Sequence, residues 1–182
     1  MNQRDIQAHK NAIIAKTPAG VEDIEIFASE REAWERVRIV NEAMSWIGTP
    51  FRDCTDIKGP NGGVDCAMLL VRSYVDSGKL QPFDPRPYPP QWHMHHSEQR
   101  FLEWIEVKLA GVRVEKPRIG DCLVYQFGRC FSHGAIYIGN GEIVHSYYES
   151  QLCHLTRMTD SRLAFLNDGR TPRPLLFFEV GR

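Results

Sequence analysis

Hydrophobic positions along the chain change period near Pro117, and that change predicts the architecture. From Ser29 to Gly48, apolar Trp34, Val37, Val40, Ala43, Met44 and Ile47 recur at helical spacing. Ser29 with Glu32 three residues on forms a capping box at the start of this helix, and Gly48-Thr49-Pro50 stops it. A second run, Ala67 to Val71 with Tyr74 and Val75, is apolar almost all round and ends at Ser77-Gly78, which predicts a buried helix of about three turns. Helical spacing returns from Ser97 to Leu109 through Phe101, Leu102, Trp104 and Ile105.

Beyond Pro117 the runs are short and rich in β-formers: Asp121 to Phe127, Ser132 to Ile138 and Glu142 to Tyr147, parted by Gly128-Arg129 and Gly139-Asn140-Gly141. Leu152 to Thr156 and Pro174 to Val180 complete the strands. Helices first and strands afterwards predict an α+β fold, with the helices on one face of an antiparallel sheet. The expected division is an N-terminal arm, residues 1–28, followed by one domain over residues 29–182. Two linking segments are turn-rich. Lys58-Gly59-Pro60-Asn61-Gly62-Gly63 precedes Asp65-Cys66, and residues 81–90 carry five of the eleven prolines, which predicts an extended surface loop.

Composition narrows the classes. With 182 residues, 42% hydrophobic and 25% charged, the chain has the balance of an ordinary globular protein. The 22 Lys and Arg against 23 Asp and Glu leave a net charge of -1, so no sequence-wide field favours nucleic acid. Apolar runs are too short for a membrane span, and the first residues lack the apolar stretch of a signal peptide, so synthesis in the cytoplasm is expected. The charges between Glu22 and Arg38 read as the solvated side of a helix. Five cysteines form an odd set, so at least one thiol is expected to be free.

The candidate chemistry starts at Cys66, placed at the first turn of the buried helix. A helix N-terminus offers partial positive charge and free N–H groups that lower a thiol's pKa, which would make Cys66 a nucleophile. Such a thiol needs an imidazole to take its proton and a third group to orient that imidazole. His133 and His145, twelve residues apart across the Gly139-Asn140-Gly141 turn, are set near each other by an ordinary hairpin. Singly, Cys66 reads equally well as a small core side chain, and His133 and His145 read more readily as core or surface histidines; their joint placement favours the chemistry. His93, His95 and His96 cluster in the proline-rich region without the spacing of a zinc site, so neither a metal nor a cofactor is expected. Tyr88 and Trp92 either stack on a ligand or, as favoured here, cover the core.

Taken in order, Thr49-Pro50-Phe51, Val64-Asp65-Cys66-Ala67, Arg118-Ile119-Gly120-Asp121, Ser132-His133-Gly134-Ala135-Ile136-Tyr137-Ile138-Gly139 and Ile143-Val144-His145-Ser146 resemble the NlpC/p60 family of papain-like cysteine peptidases. The resemblance spans about residues 43–147. It implies Cys66 as nucleophile, His133 as general base and His145 as the orienting group, with Phe51, Asp65, Tyr88, Trp92 and Ser132 lining the substrate groove. It also implies hydrolysis of peptidoglycan stem peptides next to D-γ-glutamyl residues through a thioester. Tyr88-Pro89-Pro90-Gln91-Trp92-His93 looks like the branch found among phage and prophage tail genes, which implies tail proteins as partners and action on the wall from a virion tail.

Two positions depart from the family pattern. Phe51 stands where many members have a Tyr, and Ala67-Met68 where many have Ser-Gly. They keep two other readings open: a tail assembly or wall-binding component with the same fold and weak or no hydrolysis, and an acyltransferase or amidase acting on another substrate.

Overall fold

The computed structural model describes residues 27–88 and 99–181. All but the last two residues of the expected arm lie outside these, as do Trp92, His93, His95 and His96. Helix α1 (Glu30–Met44) opens as its capping box requires: the Ser29 hydroxyl accepts from Glu32 N, while the Glu32 carboxylate reaches back to Ala28 N at 2.8 Å. Two short strands, β1 (Asp56–Ile57) and β2 (Gly63–Val64), then pair across the glycine-rich turn. Helix α2 (Cys66–Asp76) has Ala67 to Val71 and Tyr74 fully enclosed, as its all-round apolar sequence dictates. Helix α3 (Arg100–Lys108) turns Ile105 inward and stacks Phe101 on Trp104.

The strands are β3 (Val112–Val114), β4 (Cys122–Phe127), β5 (Cys130–Gly139), β6 (Glu142–Tyr147), β7 (Leu152–Arg157) and β8 (Leu175–Glu179). They form one sheet in the order β3-β8-β4-β5-β6-β7, every neighbouring pair antiparallel. The expected α+β arrangement is therefore present, with one addition. Cys122, Val124, Ile136, Val144 and Phe178 pack with the three long helices, while Leu123, Tyr125, Ala135, Ile143 and Tyr147 form a smaller core on the other face. Leu163 of a single-turn helix α4 (Ser161–Ala164) closes that second core. Packing on both faces explains why the strand sequences show continuous apolar runs rather than clean alternation. Among the described residues, no helix is long and apolar enough to cross a membrane.

The buried stripe of α1 corrects the sequence expectation. It runs through Arg36, Ile39, Ala43 and, just past the helix, Trp46, whereas Ile47 is 41% exposed. The cause is an ion cluster. The Arg36 guanidinium donates to Asp121 at 2.7 Å, Glu179 at 2.9 Å, Glu32 at 3.1 Å and the Ile119 carbonyl at 3.0 Å. This network turns the helix so that a residue taken for its solvated side points inward and ties α1 to β4 and β8. Burial still pushes the Asp121 carboxyl upward, with Arg36 opposing it.

Removing one member of such a network strands a buried charge. Arg36→Met should therefore cost about 3–5 kcal/mol in denaturant unfolding. The double change Arg36→Met with Asp121→Asn should cost clearly less than the sum of the two single changes. Additive losses would show that Arg36 and Asp121 are not coupled.

Candidate active site

Asp65 prepares the start of α2. One carboxylate oxygen accepts from Met68 N at 2.8 Å, which caps the helix. The other accepts from Cys54 N and from the Tyr88 hydroxyl, both at 2.7 Å. A side chain expected at the substrate thus has its oxygens taken up by the protein and is only 5% exposed. Its hydrogen bonds to the 51–54 segment and to Tyr88 fix the chain on both sides of the following residue, Cys66.

The Cys66 thiol points at the backbone of β5 on either side of His133. It donates weakly to the Ser132 carbonyl at 3.9 Å, and the Gly134 N–H lies close enough to favour its ionised form. The ladder between β5 and β6 runs from the turn only to Ile136↔Val144, so at residues 132–134 it is the helix start that meets this strand. Burial, followed by the negative charge of Asp65, pushes the thiol up to about 12, against the opposing amides of Gly134, Cys66 and Ala67. The expectation that the helix start would lower this pKa is thereby corrected. The N–H groups act in the expected direction, and burial outweighs them. The balance favours the neutral thiol over the thiolate.

The pairing of His133 with His145 depends on a β-bulge. At the turn, Gly139 faces Glu142, but beyond the irregularity Tyr137 faces Ile143 and Ile136 faces Val144. This one-residue shift moves odd positions of β6 opposite odd positions of β5, so His133 and His145 project from the same face. His133 Nε2 lies 2.9 Å from His145 Nδ1. Tyr147 packs against both rings, with centroids 5.1 Å from His133 and 5.4 Å from His145. The hairpin does bring the two histidines together, as the sequence predicts.

A third imidazole continues the line. His154 on β7 sits directly across from His145, and their Nε2 atoms are 3.2 Å apart. Its Nδ1 lies 3.1 Å from both the Leu152 carbonyl and the Ser150 hydroxyl. Sequence reasoning placed His154 in a strand without giving it a role. The usable signal was a second histidine nine residues after His145, across one more hairpin. His145 is almost wholly enclosed, and burial first, then His133, His154 and Arg162, pushes its pKa down to about 2.

The remaining expected residues take varied positions. Phe51 bridges to Val64 and meets Tyr148 edge-on at 5.8 Å. Tyr88 joins the edge of the core and accepts the Cys54 thiol on its carbonyl at 3.3 Å, so it combines the favoured covering role with the hydrogen bond to Asp65. The Ser132 hydroxyl is shut off from solvent beside the Cys130 thiol, with no hydrogen bond of good geometry among the described residues. Trp92 lies outside the described residues. All five cysteines are unpaired, and no group of three or more His, Cys, Asp or Glu side chains among the described residues is arranged to hold a metal ion.

A model of the NlpC/P60 family matches residues 46–162. The chain belongs to the NlpC/P60 family. Two solved structures from one organism share the fold. NlpC2 from Trichomonas vaginalis aligns at 14% identity over 88% of this chain and 49% of that one, with a TM-score of 0.52. NlpC1 from the same organism aligns at 15% identity over 85% and 45%, with a TM-score of 0.50. This NlpC/P60 chain thus spans about half the length of each. The NlpC/p60 domain of the peptidoglycan hydrolase SagA aligns at 21% identity over 68% of this chain and 90% of that one, with a TM-score of 0.46. A search of curated proteins found no match.

Two outcomes follow from the electrostatics of this NlpC/P60 site. A half-buried thiol whose pKa is pushed up should alkylate with iodoacetamide at a rate that keeps climbing above about pH 8.5, the free-thiol value. A plateau below about pH 7, mapped to Cys66 by mass spectrometry, would contradict it. His145 supplies the second. The unfolded chain binds a proton at this position near pH 6.5, while the folded chain resists it down to about 2. The unfolded state therefore holds more protons between these limits, and stability falls as pH falls through that window by about 1.4 kcal/mol per unit. His145→Asn should flatten this slope, making the gap between the two proteins at pH 5 about 2 kcal/mol smaller than at pH 7. Parallel slopes in urea unfolding would sink the assignment.

Proposed function

We propose that the protein is a cysteine peptidase or amidase that hydrolyses peptidoglycan stem peptides. The observation that carries this reading is the 2.9 Å contact of His133 Nε2 with His145 Nδ1, on the strand whose Ser132 carbonyl accepts from the Cys66 thiol at 3.9 Å. His145 occupies Nε2 of His133, which leaves Nδ1 as the nitrogen able to exchange a proton with Cys66. Because the neutral thiol is favoured, proton transfer to His133 accompanies attack, and a standing thiolate–imidazolium pair is not required.

In the forward reaction, Cys66 Sγ bonds to the amide carbon as its proton passes to His133. Backbone N–H groups at the helix start face the developing oxyanion. His133 returns the proton to the departing amine as the C–N bond breaks, leaving a thioester. Water then attacks the thioester, giving a proton to His133 that finally restores the thiol. Family membership supports peptidoglycan as the substrate class and cleavage next to D-γ-glutamyl residues as the preferred bond. The proline-rich segment beginning at Tyr88 supports a tail-borne member that works beside phage or prophage tail proteins on the wall.

Purified peptidoglycan supplies the test. The wild-type protein should release soluble muropeptides with new amino termini. Cys66→Ala should fall to background, and His133→Ala should lose about 100-fold or more. Hydrolysis of simple amides or esters with intact wall material would redirect the reading to another substrate. Binding to the wall without any release would leave a non-catalytic component.

A further inference from the structure

Three imidazoles in line raise the question of which way their hydrogen bonds point. The anchor decides it. The Leu152 carbonyl beside His154 Nδ1 can only accept, so this nitrogen carries the hydrogen. The Ser150 hydroxyl agrees, because it lies 3.0 Å from the Tyr147 carbonyl and 3.2 Å from the Leu152 carbonyl, which it serves as donor. Neutral His154 then presents a lone pair on Nε2, and His145 Nε2 must donate to it. His145 Nδ1 becomes an acceptor, so His133 Nε2 donates to it. The single hydrogen of neutral His133 is thereby spent on Nε2, and its Nδ1 holds the lone pair that a general base needs.

We propose that His154 is a positioning residue that sets the direction of this imidazole chain, keeps His133 in its basic tautomer, and receives the chain's charge when His133 is protonated. The inference rests on the proposed role of His133 as the base for Cys66. A proton taken up at His133 Nδ1 is matched by transfer of the Nε2 hydrogen to His145 Nδ1 and of the His145 Nε2 hydrogen to His154 Nε2. No atom is gained beyond the thiol proton, and the positive charge moves from an enclosed ring to a partly exposed one. The same balance defines an off state. One extra proton taken from solvent ends on His154, reverses both imidazole bonds and leaves His133 Nδ1 occupied. The chain therefore titrates as a unit.

The charged groups around the outer ring are consistent with that role. Asp160 ahead of α4 senses the His154 charge, and its carboxyl is held lower partly by it. Arg162 opposes a charge on His145, and Glu149, in the turn before β7, acts on both Arg162 and Tyr147.

His154→Leu and His154→Gln separate this role from packing. Leu has no acceptor, so kcat on muropeptides should fall at least about tenfold with KM within about twofold. Gln offers an amide oxygen to His145 without titrating, and it should recover a substantial part of kcat while moving the acid limb of the kcat/KM profile by a full pH unit or more. Wild-type kcat and an unmoved acid limb in both variants would overturn the proposal. Nitrogen-15 imidazole spectra give a readout that does not depend on hydrolysis. Neutral wild-type protein should carry hydrogen on Nε2 of His133, Nε2 of His145 and Nδ1 of His154, and His154→Leu should lose this single pattern. A hydrogen on His133 Nδ1 in the neutral wild type would overturn the proposal even if the wall is cut. The expected pattern in a protein that cuts nothing would uphold the chain while removing the proposed function.

Discussion

The closeness of α2 to β5 is the constraint on which the site depends. A Cβ placed on Gly134 would come within 2.6 Å of the Leu70 side chain, so the strand can lie against the helix only where it lacks a side chain. That contact brings the first turn of α2 to the level of Ser132 and Gly134, where β6 no longer pairs with β5. The thiol of Cys66 is consequently held by backbone on a rigid element. A site built on a helix start and a strand tolerates far less drift than one built on loops.

The same enclosure governs the electrostatics. Removing water raises the cost of every isolated charge, so it favours a neutral thiol at Cys66 and a neutral ring at His145. Helix dipole and amides are real but smaller influences here. What the site offers is pre-set direction: polar groups such as Asp65 meet partners of fixed donor or acceptor character. Asp65 illustrates this at the helix, where its carboxylate receives three donors and serves as scaffold. Arg36 does the same on the other side of the core, where a guanidinium with four protein acceptors replaces an apolar contact.

The parts legible in sequence were those governed by local rules. The capping box at Ser29, the apolar run of α2, and the Asn140-Gly141 turn, whose two residues both take positive φ, appear where the pattern puts them. β6 begins and ends at the predicted residues. The parts that escaped are set by partners distant in sequence. Arg36 is inward because of Asp121 and Glu179, which no periodicity in α1 can reveal. Strand β3, partly exposed with only three residues, exists because β8 offers it an edge. The pairing of His133 with His145 was anticipated from proximity alone. Without the bulge after Tyr137, the register closed by Gly139 and Glu142 would have turned them to opposite faces.

His154 shows why the last part of the site is a matter of register as well as residue type. β6 and β7 carry one histidine each, and the four-residue turn from Tyr148 to Gln151 sets His145 opposite His154. The anchor beyond it is a backbone carbonyl, and this distinguishes the chain from one ending in a carboxylate. A carboxylate would orient the imidazoles and also favour a positive charge among them, raising the pH at which they take up a proton. A carbonyl orients without supplying charge. Direction and charge are thereby separated: the fold fixes the first, and in the proposed reaction the proton released by Cys66 supplies the second.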